Sequence, residues 1–127
     1  MKNKKQNNKY CEIPILNNEY WVYVCIGKDK EELSKKLINY FEDKHNGNFD
    51  PDSVDGSRGQ CYRKKGYNPY IFVNLNECKT KNQIYATLAH ESCHAIDNIF
   101  YFIGDNNRHE LFAHSVAAVI RGVKDIL

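Results

Sequence analysis

From Thr80 to Ile103 the chain runs without a glycine or a proline, and Gly104 ends the run. No other stretch limits the fold so tightly. Ile84, Leu88, Ile96, Ile99, Phe100 and Ile103 recur at helical spacing, so one face of a long helix is apolar and belongs in a core. Thr80-x-x-Gln83 is a capping-box signal, in which a hydroxyl and an amide satisfy the first free N–H groups of a helix. The pattern predicts a helix from near Lys81 to the residues before Gly104. A second helix is predicted to open around Asp105 to Asn107 and run to about Arg121. Leu111, Val116, Val119 and Ile120 are its apolar positions.

The first half of the chain supplies the sheet. Tyr10 to Leu16 and Tyr20 to Ile26 read as two strands of a hairpin, with Asn17-Asn18 as the turn. Pro14 assigns the first of them to a sheet edge, because proline cannot donate to a ladder. Asp29 to Lys44 reads as a helix. Asp29 caps it, Glu31 and Glu32 complement the dipole in its first turn, and Leu33, Leu37, Ile38 and Phe41 form one apolar stripe. His45-Asn46-Gly47 is the predicted stop. Residues 46–60 read as a loop, and Gln60 to Lys64 and Tyr70 to Asn76 as strands. The order β-β-α-β-β-α-α gives an α+β fold. A small antiparallel or mixed sheet packs on an N-terminal helix and a C-terminal helix pair. Residues 1–9 are expected to be a disordered basic tail, and 10–127 a single domain.

Composition excludes several classes. Hydrophobic residues make up 42% of the chain, which suits a packed core and not a disordered segment. The formal net charge is +2, and Lys2, Lys4, Lys5 and Lys9 lie in the first ten residues. The rest is close to neutral, so no nucleic-acid-binding face is expected. Apolar runs such as Ile71-Phe72-Val73 are too short to span a bilayer, and no apolar segment follows the basic start as a secretion signal would require. The five cysteines are odd in number and widely spaced, with no Cys-x-x-Cys pair. Reduced thiols in a cytoplasmic protein are the expectation.

His90-Glu91-Ser92-Cys93-His94 sits inside the long predicted helix. Residues four apart project from the same helical face, so His90 and His94 can grip one metal ion through their imidazoles. Nitrogen ligands of this kind make zinc the expected ion. Glu91 can act as base, taking a proton from a metal-bound water and passing it to a leaving amine. A catalytic zinc needs a third protein ligand. Asp97 follows three residues after His94, but its backbone is about 10 Å along the axis from His90. The third ligand is therefore sought beyond Gly104, among His109, Glu110 and His114. Glu110 is favoured, although Asn107-x-x-Glu110 also fits a capping box. His114 is the alternative ligand, or a group outside the ligand set that steadies a ligand or an oxyanion. Asp97 is either a partner that orients a ligand imidazole or a surface aspartate. Cys93 is expected to be a buried, inert thiol. Tyr70 to Asn76, the strand before the helix, is a candidate for holding a peptide extended.

These residues resemble the zincin metallopeptidases of the gluzincin type, in which a glutamate on a following helix is the third ligand. The matching elements are His90-Glu91-x-x-His94 and Glu110. The stretch from His90 to His114 is also similar to small phage- or prophage-encoded proteins with the same motif. The mitochondrial ATP-synthase assembly proteases share a similar start, His-Glu-x-x-His-Ala-x-Asp. The resemblance covers residues 80–122, and His114 stands where the phage pattern has an aromatic residue. It implies a minimal zincin-like fold and a zinc-dependent peptidase acting on a protein or peptide, in a bacterial cytoplasm if phage encoded. A different class fits the same residues: a non-catalytic zinc-containing protein that binds a host or virion protein. A water in the fourth metal position would favour the enzyme, and a fourth protein ligand the binding protein.

Overall fold

Side chains along a strand alternate between two faces, and both faces of this sheet are apolar. A computed structural model describes residues 7–42, 54–103 and 109–127. Its elements follow in the order β1 (Lys9–Ile15), β2 (Tyr20–Gly27), α1 (Lys30–Phe41), β3 (Gly59–Tyr62), β4 (Tyr70–Asn74), α2 (Lys81–Ile103) and α3 (His109–Val123), closed by a short 3-10 turn at Lys124–Ile126. The strands form one mixed sheet in the order β1-β2-β4-β3. β1 and β2 pair antiparallel, β2 and β4 parallel, and β3 and β4 antiparallel.

The alternation sorts the core into two halves. Ile13, Ile15, Val22, Val24, Ile26, Ile71 and Val73 meet Leu88, Ala95, Ile96, Ile99 and Phe100 of α2 and Val119 and Val123 of α3. Cys25, Tyr62, Tyr70 and Phe72 meet Leu33, Leu37 and Phe41 of α1 on the opposite face. The result is a three-layer α/β/α arrangement around a sheet buried on both sides. This explains why β4 is buried at every position.

The element order and class match the sequence reading, and several boundaries move. Asp29 caps α1, its carboxylate accepting from the Glu32 N–H at 3.1 Å. The helix ends at Phe41 with Glu42 in the left-handed region, φ 52°. The predicted stop at 45–47 lies outside the described residues. Thr80 caps α2 by accepting from the Gln83 N–H at 3.1 Å, while Gln83 reaches back to the Lys79 N–H instead of to Thr80. β1 takes in Lys9, and Asn8 is buried, so these two residues do not belong to a frayed tail. The Asn8 side chain bridges to Asp29, donating to its carbonyl at 2.8 Å and accepting from its N–H at 3.0 Å. Ile103 and Leu111, expected in the core, are 38% and 45% exposed. They flank the α2–α3 connection, beyond the reach of the sheet. Among the described residues no helix is long and apolar enough to cross a membrane.

One expectation fails on topology. β4 has β2 on one side and β3 on the other, so its N–H and C=O groups are used on both edges. It cannot align a peptide. The strand at that end of the sheet is β3.

Candidate metal centre

Helical phase decides what each flank of α2 does. Leu88, Ser92, Ala95, Ile96 and Ile99 turn toward the sheet. Phe100 turns toward α3, where its ring lies 5.9 Å from that of Phe112. The other flank faces β3 and is polar. Thr87, Glu91, His94 and Asn98 recur there at i, i+4, i+7 and i+11, a nearly straight stripe along a helix.

β3 approaches this stripe through Gly59. A Cβ built at Gly59 would lie 2.5 Å from Thr87 Cγ2, 2.7 Å from the Phe72 carbonyl oxygen and 3.4 Å from Glu91 Cγ. Only glycine lets strand and helix come this close. Glu91 lies beside this close approach and is 8% exposed although it carries a carboxylate. Cys61, two residues along β3, shares this side of the strand. Burial, chiefly, pushes its thiol up to about 12, with Glu91 adding to the rise and Arg63 opposing it.

His90, Glu91 and His94 come together as expected, each offering one ligand atom within 4.8 Å of the others. The two imidazole Nε2 atoms are 3.3 Å apart, with the rings edge to face at 80°. Two nitrogens each about 2.0–2.1 Å from one tetrahedral zinc would be about 3.3 Å apart, so the pair fits that ion. An N–H···N hydrogen bond between neutral rings spans a similar distance. The carboxylate beside the pair suits the base of a metal-bound water, and the two imidazoles supply two of the three protein ligands that a catalytic zinc needs. Glu91 Oε2 stands 4.0 Å from His90 Nε2, and the His90 side chain is 70% exposed, so the cluster opens to solvent.

Of the remaining candidates, His114 and Asp97 stand outside the cluster. α2 and α3 run antiparallel, with Phe100 against Phe112 and Ile84 beside Ile126. In that register His94 is level with about residue 118, and position 110 is about 12 Å further along α2. Phase adds to this, because α3 packs on the flank opposite the polar stripe. The two-helix clasp is therefore not what this register favours. Glu110 stands in the first turn of α3. Its side chain, like that of His109, lies outside the described residues. His114 is exposed and lines a groove of about 500 Å³ with Ile15, Leu16 and Glu19 at the β1–β2 turn. Asp97 is exposed on α2, and neither it nor His114 joins the three-donor cluster. Cys93 is exposed, a correction to its expected burial, although it shares the helical phase of the buried Phe100. All five cysteines are free thiols.

Gly59 and Asn98 were missed from sequence. Asn98 was legible as a polar member of the stripe, and its Oδ1 is buried without a hydrogen-bond partner among the described residues. Gly59 was one glycine in a loop-rich segment, and only the packing reveals its neighbour. Comparisons with known protein families, with curated proteins and with solved structures found no match to this chain.

Proposed function

We propose that the chain is a zinc-dependent peptidase, with His90 and His94 as two of the ion's ligands and Glu91 as the base. One observation carries the reading: two imidazole nitrogens 3.3 Å apart open to solvent beside a buried carboxylate. A zinc ion bound there would polarise a carbonyl and lower the pKa of water. Glu91 takes the proton of the attacking water and delivers it to the leaving amine. Glu91 is 8% exposed, so little freedom is left for its carboxylate to lose at the moment of reaction.

The peptide needs a partner for its backbone. Among the described residues no strand pairs with the outer edge of β3. An extended substrate added there lies along the polar stripe of α2, with its backbone bonded to β3. This replaces β4, whose edges are both occupied.

The test is metal content and turnover on one preparation. Wild-type protein is expected to hold one zinc and to cleave a degenerate peptide pool. Glu91→Gln is expected to keep the zinc and lose the cleavage. Zinc-loaded wild type that leaves every peptide intact would overturn the proposal and favour a metal-containing binding protein.

A further inference from the structure

The alternation of β3 continues one residue past its end. Gly59 and Cys61 face α2, while Tyr62 packs in the core beneath α1. Lys64 falls on the α1 side too: its Nζ donates to the Phe41 carbonyl at 2.6 Å and lies 5.0 Å from the centre of the Tyr67 ring. Arg63, between Tyr62 and Lys64, therefore falls on the α2 side. Its action on the Cys61 thiol agrees with that placement.

Arg63 is exposed and has no carboxylate partner among the described residues. It stands two residues beyond Cys61, about 6.6 Å along the strand, in line with the polar stripe of α2. A guanidinium in this place meets whatever lies along the outer edge of β3. Its fork of donors fits a carboxylate.

We infer that Arg63 selects peptides by a carboxylate two to four residues from the bond beside Glu91. This rests on the proposed peptidase reading for the position of that bond. Antiparallel pairing is the more stable arrangement at a strand edge, and it runs the peptide opposite to β3. Arg63 then lies on the N-terminal side of the bond, so the carboxylate belongs to an Asp or Glu side chain. A parallel peptide would instead bring its terminal α-carboxylate to Arg63.

The experiment uses zinc-loaded Glu91→Gln and three acetylated, otherwise degenerate octapeptide pools: amidated with one fixed Glu, amidated with Gln in its place, and Gln with a free C-terminus. Binding is read by fluorescence anisotropy, and cleavage by active wild type from the sequences of the products. The Glu pool is expected to bind about fivefold tighter than the amidated Gln pool, the scale of an exposed charge pair. The preference should fade in 1 M salt. Arg63→Gln should abolish it, and Arg63→Glu should invert it toward a fourth pool, amidated with Lys in that place, which loss of structure could not do. Tighter binding of the free-C-terminus pool alone overturns the antiparallel assignment. Equal binding of all pools overturns the inference, whatever the cleavage. Glu-dependent binding with no cleavage by wild type would leave Arg63 recognition standing and remove the peptidase reading.

Discussion

Each edge of the sheet meets a helix through a glycine, and the two contacts do opposite things. At the β1 edge the glycine is on the helix: a Cβ on Gly122 of α3 would lie 2.8 Å from Ile13 Cγ1. At the β3 edge the glycine is on the strand, and its neighbours are Thr87, Glu91 and a backbone oxygen. The first contact joins apolar surfaces and completes a core. The second brings a strand against a polar helix face beside a buried carboxylate. The β1 edge also carries Pro14, exposed, which deters pairing with another strand. The β3 strand Gly59–Tyr62 has no proline. One edge carries a proline that deters pairing, and the other, among the described residues, pairs with no further strand.

The sharpest way to break this comparison is to exchange one charged or polar group at each edge. Glu91→Gln at the β3 edge is expected to lower peptide cleavage by about a hundredfold to ten-thousandfold, the usual contribution of a positioned base. His114→Gln, beside the β1–β2 turn, should stay within about twofold of wild type in the same assay. An equal loss in both would mean that the edges share one site.

The two glycines come next. Gly59→Ala is expected to cost about 1–3 kcal/mol, because a backbone carbonyl oxygen and a packed threonine must give way. Gly122→Ala meets the buried Ile13 side chain at 2.8 Å but no backbone atom among its nearest neighbours, and gains up to about 1 kcal/mol of helix propensity, so it should cost less than Gly59→Ala. Urea unfolding of the two variants measures the difference. A costlier Gly122→Ala would show that α3, not β3, makes the tighter approach.

A smaller effect tests whether both edges are dry. Burial pushes the Cys61 thiol of β3 up to about 12 and that of Cys11 in β1 up to about 11, from an ordinary 9.0. The folded chain keeps these protons after the unfolded chain has lost them. Their contribution is present below pH 9 and is lost as pH rises from 9 toward 12. The urea midpoint should therefore fall across that window, and a flat profile would mean that the thiols are wetter than the packing indicates. The smallest expected change is in Glu110→Gln: on the proposed zinc reading, the α2–α3 register predicts that this variant binds the metal as wild type does. Loss of the metal would restore the two-helix clasp.

Much of the fold was legible because it rests on local chemistry. The absence of glycine and proline from Thr80 to Ile103, the Asp29 and Thr80 caps, and the Asn17-Asn18 turn each act within a few residues. Asn17 and Asn18 do adopt the left-handed region, φ 57° and 66°, as that turn requires. The pairing of His90 with His94 was equally local, since four residues along a helix return to one face. The stop of α1 was missed because no glycine marks it, and Glu42 takes the left-handed cap instead.

What the sequence by itself determined is therefore the set of elements, their order, and two histidines with a glutamate on one turn of helix. The tertiary structure decided which strand lies at an edge, which flank of α2 faces it, and how far α3 stands from the histidines. Those depend on pairings between residues far apart in the chain. Period-2 and period-3.6 patterns state which face of an element is buried, but not which partner buries it. For β4 the same apolar run suited an edge or a centre, and the pairing with β2 and β3 settled it. For Gly59 the deciding atoms belong to Phe72, Thr87 and Glu91, which no local pattern connects to it.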